Sequence, residues 1–371
     1  MTVSARTETG PLQLIDEHGV PTGRADAPLP TERLLEGYRR MVVGRRFDVQ
    51  ATALVRQGRL AVYPSSYGQE ACEIGAVLAL RPADWFFPTY RDGMALVARG
   101  IDPVEVLTLM RGDRHCGYDP RHWRTAPQCT PLATQLPHAV GLAMAARRAG
   151  TDTVALALCG DGATSEGDFH EALNFAAVFR APVVFMVVNN QFAISVPLSR
   201  QTAAAALADK AAGYGMPGVR VDGNDLAAVD HALGAAVARA RAGQGPTLVE
   251  AVTYRMQPHT NADDDTRYRD RAEVEAWRTR DPLARLEAHL RRTGALDADT
   301  AAGIAAQAEE LAAGLRAGLA DAPEPEPDPA ALVEHVFATP TPQLLEQAAL
   351  VAAELAELAE LAEQQELELS R

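Results

Sequence analysis

Two apolar segments that each end at a polar turn constrain the fold of this chain most strongly. Residues 154–158 are apolar and lead into Gly160-Asp161-Gly162, and residues 182–188 are apolar and lead into Asn189-Asn190. A helical pattern over residues 168–179 lies between them. Continuous apolar strands joined by helices are typical of a parallel sheet that is covered on both faces.

The alternation continues on both sides of this unit. The patterns predict further strands and helices: strands over residues 219–221 and 247–253, and helices beginning near Thr31 and over residues 67–80, 132–149 and 226–240. The predicted fold class is therefore α/β, with a mostly parallel sheet and helices on both of its faces.

Four polar residues follow predicted strand ends, namely Asp161, Asn190, Asp222 and His259. Ligands of parallel α/β sheets bind beyond the carboxyl ends of the strands, so we expect these residues near one site. Carboxylate and amide oxygens suit a Mg²⁺ ion that carries a diphosphate. We expect Asp161 and Asn190 to bind this metal with the backbone carbonyl of Phe192 as a third oxygen.

The turn after the first of these strands has features of its own. Gly160 and Gly162 lack side chains, which would let the backbone approach a diphosphate closely. Ser165 is predicted to cap the following helix, with Asp168 three residues later. Asp-Gly alone is a common turn signal, so the prediction depends on the spacing to Asn189-Asn190. The turn is not G-x-G-x-x-G and the sequence has no G-x-x-x-x-G-K-[ST], so a nicotinamide site ranks below this one.

The net charge limits the partners of the chain. Its 371 residues carry a formal charge of −14, with a pI of about 5.1. This balance argues against nucleic acid or an anionic membrane as the main partner. An anionic cofactor must be held locally, by a metal, a few Arg or His side chains and backbone amides.

The four cysteines and the apolar segments indicate where the protein resides. No C-x-x-C pair is present, and His115-Cys116 with His122 is only a weak zinc candidate, so free thiols are predicted. No apolar run reaches membrane length, and the N-terminus lacks the pattern of a signal peptide. The predicted location is the cytoplasm.

Six ordered segments between about Arg46 and about Leu290 carry a family resemblance. They are Tyr67-Gly68-Gln69-Glu70, Thr89-Tyr90-Arg91, residues 130–135, residues 160–168, residues 189–195, and Tyr254-Arg255 through His259 to Tyr268-Arg269. Together they resemble the alpha subunit of the thiamine-diphosphate-dependent component of 2-oxo acid dehydrogenase complexes, of the branched-chain or pyruvate type.

The resemblance implies a set of cofactor contacts. His259 would be catalytic and would also contact the diphosphate. Thr134 and Gln135 match positions that bind a structural K⁺ in some relatives. The implied thiamine-diphosphate contacts are Tyr90, Arg91, Thr130, Leu132, Gly160, Asp161, Gly162, Ala163, Asn190, Phe192, Ala193, Ile194 and His259.

The resemblance also implies a reaction and partners. The reaction is oxidative decarboxylation of a 2-oxo acid with acyl transfer to a lipoyl group of a transacylase component. The glutamate that activates the cofactor would come from a beta subunit in an α₂β₂ assembly. In this chain Glu70 and Glu166 are candidates by residue type only. The chain is therefore expected to be inactive alone.

Several alternatives stay open. The contexts of Asp263-Asp264 and of residues 220–225 favour a branched-chain substrate of the 3-methyl-2-oxobutanoate type. A pyruvate or acetoin dehydrogenase alpha subunit is an alternative, and a non-catalytic assembly module that retains the fold is another.

Three regions follow from these patterns. Residues 1–45 are predicted as an N-terminal arm and first helix, residues 46–320 as the thiamine-diphosphate-binding domain, and residues 321–371 as a Pro-rich acidic linker and C-terminal helix. In that helix Leu344, Val351 and Leu358 recur every seven residues. The helix would either dock on the body or self-associate.

Overall fold

A computed structural model of the chain describes residues 10–24, 30–113, 115–321, 331–334 and 336–369. Its contacts divide the chain into two units between Ala322 and Pro323, and each is described by itself. The predicted N-terminal arm is described only over residues 10–24 and 30, and residues 322–330 of the predicted linker lie outside the described part.

A five-stranded parallel sheet and a small antiparallel hairpin form the centre of the first unit. The strands are β1 Trp85–Phe87, β2 Ala155–Gly160, β3 Val183–Asn189, β4 Phe192–Ala193, β5 Val196–Pro197, β6 Gly218–Asp222 and β7 Thr247–Val252. The strand order in the parallel sheet is β1-β2-β3-β7-β6, and β4 and β5 form the hairpin that follows β3.

Helices precede, separate and follow these strands. In the first unit they are α1 Thr31–Arg56, α2 Glu70–Leu78, α3 Gly93–Ala98, α4 Pro103–Val106, α5 Pro120–Trp123, α6 Gln135–Arg148, α7 Gly167–Val178, α8 Leu226–Arg241, α9 Arg271–Arg278, α10 Pro282–Arg292 and α11 Ala298–Asp321. In the second unit they are α12 Ala331–Glu334 and α13 Pro342–Leu369. None of the described helices is both long and apolar enough to cross a membrane.

Both faces of the sheet are buried, because successive strand residues enter different apolar layers. In β2, Leu156 and Leu158 pack in a layer that includes residues of α1, α2 and α8. Ala155 and Ala157 pack on the other side, in a layer with residues of α6 and α7. This two-sided burial explains why the strand sequences are continuously apolar, and it confirms the predicted α/β fold class.

The strand register brings the polar turns together. Gly160, the last residue of β2, is opposite Val188, and Asn189, the last residue of β3, is opposite Val252. The turns after β2, β3 and β7 therefore leave the sheet at one edge, which is where the candidate site lies.

Two local predictions have clear outcomes. The prediction of Ser165 as a helix cap is wrong, because Ser165 ends a short 3₁₀ turn and Glu166 occupies the cap position without a side-chain hydrogen bond. The cysteine prediction is confirmed, since Cys72, Cys116, Cys129 and Cys159 are all free. Among the described residues, no group of three His, Cys, Asp or Glu side chains could hold a metal ion.

Candidate functional site

A cavity of about 520 Å³ lies at the carboxyl edge of the sheet. Residues from the turns after β2, β3 and β7 line it, together with residues from the loops that precede α3 and α6. The structure brings all of the implied thiamine-diphosphate contacts to its wall: Tyr90, Arg91, Thr130, Leu132, Gly160, Asp161, Gly162, Ala163, Asn190, Phe192, Ala193, Ile194 and His259.

Asp222 does not join them, although it also ends a strand. Strand β6 is at the edge of the sheet, and its terminal carboxylate pairs with Arg285 of α10 at 2.8 Å. The side-chain amide of Gln13 donates a second hydrogen bond to it at 3.0 Å. Asp222 therefore anchors the N-terminal segment and α10 rather than the cavity.

Three oxygen atoms converge at one end of the cavity, which we call the oxygen end. The side-chain Oδ1 of Asn190 lies 3.1 Å from the carbonyl oxygen of Phe192 and 3.2 Å from Oδ1 of Asp161, although without a metal the reverse orientation, with Nδ2 donating to both oxygens, satisfies the hydrogen bonds better. All three atoms are hydrogen-bond acceptors, and Asp161 and Asn190 are only 1% and 6% exposed. Such a cluster is stabilised when a cation lies among the oxygens.

The spacing of these oxygens fits a small divalent cation. A magnesium ion at roughly 2.0–2.1 Å from octahedral ligands separates neighbouring ligand oxygens by about 2.9 Å. The observed separations of 3.1 and 3.2 Å are close to that value. One carboxylate, one amide and one backbone carbonyl are the hard oxygen donors that Mg²⁺ prefers.

Neighbouring side chains orient the Asp161 carboxylate. The amide of Gln201 donates to its Oδ2 at 3.1 Å, which leaves Oδ1 directed at Asn190. The Thr164 hydroxyl donates to the Asp161 backbone carbonyl at 2.8 Å. Burial raises the pKa of Asp161 to about 6, and the charge of Arg255 opposes this shift.

The turn after β3 is strained where it presents the third oxygen. Gln191 and Ile194 adopt positive φ angles of 75° and 54°, which non-glycine residues rarely adopt. Between them the β4-β5 hairpin fixes Phe192 and Ala193. Left-handed residues of this kind concentrate at functional sites, where the surrounding structure holds them in place.

Arg91 and His259 form a second part of the cavity wall, which we call the basic end. Arg91 carries its positive charge. Arg91 is 8% exposed, and it donates to the carbonyl oxygen of Ser65 at 2.7 Å and to that of His259 at 3.2 Å. Its Nη2 lies 3.1 Å from Nδ1 of His259. A guanidinium held in this way is suited to binding a phosphate oxygen.

Burial and the contact with Arg91 together set the protonation of His259. Burial and the charges of Arg91 and Arg255 lower the pKa of His259 to about 4, so the ring is neutral at pH 7. Arginine has only donor groups, so Nδ1 must accept, and the ring proton is on Nε2. The neutral imidazole therefore keeps one donor nitrogen, Nε2, that Arg91 does not engage.

Arg255 connects the two ends of the cavity, and no role was predicted for it from the sequence. It is 1% exposed and donates to the carbonyl oxygens of Phe192 at 3.2 Å and Ile194 at 2.6 Å. It also donates to the hydroxyl of Tyr268 at 2.9 Å. The sequence signal was its position three residues after the end of β7, in the Tyr254-Arg255 segment of the family resemblance.

Comparisons with known proteins agree with this geometry. The model of the family described as "Dehydrogenase E1 component" matches residues 38–327. This chain belongs to the dehydrogenase E1 component family. The family is thiamine-diphosphate-dependent, and the resemblance inferred from the six sequence segments is thereby confirmed.

Three relatives illustrate the range of the E1 component family. The chain is 49% identical to a 3-methyl-2-oxobutanoate dehydrogenase subunit alpha of Mycobacterium tuberculosis, over 93% of this chain and 94% of the relative. It is 41% identical to a 2-oxoisovalerate dehydrogenase subunit alpha of Bacillus subtilis, over 72% and 84%. It is 40% identical to a pyruvate dehydrogenase E1 component subunit alpha of Staphylococcus aureus, over 78% of each chain.

Neither glutamate candidate of this E1 component chain reaches the cavity. Glu70 is fully buried, pairs with Arg45 at 2.6 Å and accepts from the backbone N–H of Gly68. Glu166 is exposed at the start of α7. No glutamate is found among the described residues that line the cavity.

Of the two residues predicted to bind potassium, Gln135 lines the cavity and Thr134 does not. Gln135 is 4% exposed and lines the cavity, and its Nε2 donates to the carbonyl oxygen of Leu158 at 2.6 Å. Its Oε1 is buried without a hydrogen-bond partner in the described part of the chain. Thr134 precedes α6, is partly buried and does not line the cavity. Gln135 thus has an unsatisfied oxygen of the type that binds a monovalent cation.

Proposed function

We propose that this chain is the alpha subunit of a branched-chain 2-oxo acid dehydrogenase. It would take part in the oxidative decarboxylation of a 2-oxo acid and in the transfer of its acyl group to a lipoyl group. The observation that carries the proposal is the cavity in which the oxygen end and the basic end meet. The substrate assignment is supported by the 49% identical relative named 3-methyl-2-oxobutanoate dehydrogenase subunit alpha.

Each end of the cavity has a defined task in this proposal. Asp161, Asn190 and the carbonyl oxygen of Phe192 would hold Mg²⁺, and Arg91 and His259 would contact the diphosphate. Gly160 lines the cavity, and a Cβ added there would meet no atom within 4 Å, which leaves room for a diphosphate against the backbone. When bound, thiamine diphosphate supplies the carbon nucleophile and the electron sink for decarboxylation.

The chain's own residues contribute orientation and a proton donor. His259 is held by Arg91 through Nδ1 and by Asp263, whose carboxylate accepts from the His259 backbone N–H at 2.7 Å. Its Nε2–H can donate to an oxygen of the diphosphate or of the substrate. Leu132 and Ile194 line the cavity at 43% and 56% exposure, where they would shield the reacting groups from water.

A potassium ion would bind next to this site. The unpartnered Oε1 of Gln135 supports the proposal, because a buried acceptor without a donor is costly unless a cation or water satisfies it. Gln135 would contribute this oxygen from the first turn of α6, beside the Thr130 to Leu132 segment of the cavity wall.

A second chain would complete the active site. The described cavity wall includes no glutamate to activate the cofactor, which supports a contribution from a beta subunit. Phe175 and Val178 of α7 and Phe179, which caps its C-terminus, are 52%, 68% and 45% exposed, and such an apolar cluster is typical of a protein interface. We infer an α₂β₂ assembly in the cytoplasm that delivers acyl groups to a lipoyl-bearing transacylase.

The apolar part of the cavity supports a substrate with an aliphatic side chain. Val62, Pro64, Leu109, Met110 and Leu132 all line it, and a branched alkyl group would gain burial against them. Pyruvate is the second candidate, because the 40% identical relative is named as a pyruvate dehydrogenase subunit.

Reconstitution tests the proposal. The chain and a beta subunit should be purified together, loaded with Mg²⁺ and thiamine diphosphate, and assayed for CO₂ release. We expect the kcat/KM for 3-methyl-2-oxobutanoate to be at least roughly tenfold above that for pyruvate. The branched substrate has additional methyl groups, and burying one or two methyl groups in an apolar pocket provides a preference of about this size. A preference for pyruvate would overturn the branched-chain assignment, and no activity with any 2-oxo acid would overturn the enzyme assignment.

A further inference from the structure

Two buried side-chain amides meet behind the oxygen end. The Nδ2 of Asn190 donates to Oε1 of Gln69 at 3.2 Å, and the two residues are only 6% and 2% exposed. The Nε2 of Gln69 has no hydrogen-bond partner within the described part of the chain, and Gln69 lines the cavity. Gln69 is therefore the side chain that contacts the end of the Asn190 amide directed away from Asp161 and Phe192.

The backbone around Gln69 is firmly held. Gly68 has a φ of 94°, its N–H donates to the Glu70 carboxylate, and its carbonyl oxygen accepts from the Thr253 hydroxyl at 3.3 Å. Gln69 then occupies the cap position of α2. With the main chain held, the Gln69 amide can rearrange only through rotation about the side-chain torsions.

The amide pair has two self-consistent arrangements. In the first, Oδ1 of Asn190 faces Asp161 and Phe192, and its Nδ2 faces Oε1 of Gln69. If the Asn190 amide rotates by half a turn, Nδ2 donates to the Phe192 carbonyl oxygen at 3.1 Å and to Asp161 Oδ1 at 3.2 Å. Oδ1 then faces Gln69, which must also rotate to present Nε2, because two acceptors cannot share a hydrogen bond.

The two arrangements differ in their requirement for a cation. The first directs three acceptor oxygens at one another. Arg255 donates to the Phe192 carbonyl oxygen and the Phe192 N–H donates to Asn190 Oδ1 at 3.4 Å, and a positive charge among the oxygens stabilises this arrangement further. The second satisfies these acceptors with N–H donors and directs no free amide oxygen at a metal. A bound divalent cation therefore selects the first arrangement, and a cation-free site favours the second.

We propose that Gln69 and Asn190 form a coupled amide switch that sets the metal affinity of the site. Gln69 is a positioning residue in this account, because it acts through Asn190 and does not itself bind the metal. The inference rests on the proposed function, since it concerns the same metal site. It adds a residue and a conformational step to that site.

Two substitutions separate positioning from packing. Gln69→Met keeps the length of the side chain but removes both polar ends, so Asn190 loses its partner. Gln69→Glu introduces a carboxylate that, when ionised, has acceptors and no donors. It must therefore accept from Asn190 Nδ2, and this keeps Asn190 Oδ1 directed at the metal position. Asn190→Asp replaces the amide by a carboxylate with two equivalent oxygens, so no orientation remains for Gln69 to set.

The experiment measures Mn²⁺ binding to the reconstituted assembly with thiamine diphosphate, by electron paramagnetic resonance of free Mn²⁺. We expect Gln69→Met to weaken Mn²⁺ binding by roughly tenfold, as loss of an outer-shell partner does. Gln69→Glu should bind Mn²⁺ at least as tightly as the native chain. In the Asn190→Asp background, Gln69→Met should change the affinity by less than about twofold. Gln57→Met, at an exposed glutamine, is the matched control.

The outcomes are distinguishable. If Gln69→Met weakens Mn²⁺ binding equally in both backgrounds, or in neither, Gln69 does not act through Asn190 and the switch is wrong. If Gln69→Glu weakens binding as much as Gln69→Met does, the orientation of Asn190 is not what sets the affinity. If the native assembly binds no Mn²⁺ with thiamine diphosphate, the proposed function fails and this inference fails with it.

Discussion

The oxygen end and the basic end of the cavity are built in different ways. Asp161 and Asn190 follow directly after β2 and β3, so the hydrogen-bonded sheet fixes their positions. Arg91 and His259 are in loops far apart in the sequence, and contacts between them hold both in place. The sheet alone can position a metal site, whereas the cationic site depends on tertiary contacts.

The difference also concerns charge. The oxygen end gathers acceptors that require a cation, and the basic end gathers donors that require an anion. A diphosphate with its Mg²⁺ satisfies both requirements at once, in a chain whose net charge of −14 gives no general attraction for anions. Arg255 joins the two ends, because it donates to Phe192 and Ile194 and also lowers the pKa of His259.

The largest effect is expected when the oxygen end loses its charge. Asp161→Asn removes the only carboxylate among the three converging oxygens. We expect the Mn²⁺ affinity of the assembly to fall by more than roughly 100-fold, because losing a group that binds the metal directly costs more than losing a group that only orients a metal ligand. Titration with Mn²⁺ measures this. Asp299→Asn, an exposed aspartate in the first turn of α11, is the control. Native metal affinity in Asp161→Asn would show that the oxygen end is not the metal site.

The basic end should respond differently. Arg91→Gln removes charge-assisted hydrogen bonds worth about 1.5–3 kcal/mol, so thiamine diphosphate should bind roughly 10- to 100-fold more weakly. Isothermal titration with the cofactor at saturating Mg²⁺ measures the change, and Arg148→Gln at the exposed end of α6 is the control. If Arg91→Gln leaves cofactor affinity unchanged, the basic end does not bind the diphosphate.

The pKa of His259 provides a more sensitive test of the same end. Its folded-state pKa of about 4 is below the usual 6.5, so the unfolded chain binds a proton between these pH values and the folded chain does not. The contribution of His259 to stability therefore falls as the pH is lowered from 6.5 to 4. Arg91→Gln should raise this pKa, and so should inorganic pyrophosphate. Nuclear magnetic resonance titration of histidine-labelled protein would report either shift, and an unchanged pKa in both cases would contradict the assignment.

The smallest effect concerns the fit between the two turns at the oxygen end. A Cβ at position 162 would lie 2.7 Å from the Cβ of Ala193, so Gly162→Ala must push the β4-β5 hairpin and move the Phe192 carbonyl. We expect a loss of metal affinity of roughly threefold to tenfold, within the range of an outer-shell change. Gly167→Ala, where an added Cβ meets no atom within 4 Å, should bind metal as the native chain does.

The two ends also differed in how well the sequence predicted them. The oxygen end followed from apolar strands that end at Gly160 and Asn189, because strand register places such turns side by side. Arg91 has no periodic signal and was implied by the family resemblance alone. His259 was expected near the site because it follows a predicted strand, but its contact with the diphosphate was implied only by the resemblance. Their contact arises from loop packing, which a linear pattern does not encode.

Other features were missed for similar physical reasons. Strand β1, Trp85–Phe87, is too short to show a period, so its place beside β2 was not predicted. Asp222 shares the strand-end pattern of Asp161 but is on an edge strand, and strand order is not readable from alternation. The contacts of Gln201 with Asp161 and of Gln69 with Asn190 join residues distant in the sequence.

The central claim is that this chain supplies only the metal and diphosphate part of an active site. The most direct test is the rate of CO₂ release from 3-methyl-2-oxobutanoate at saturating Mg²⁺ and thiamine diphosphate, for the chain alone, the beta subunit alone and an equimolar mixture. We predict negligible turnover for either subunit alone and full turnover for the mixture. Full turnover by the isolated chain would contradict the claim.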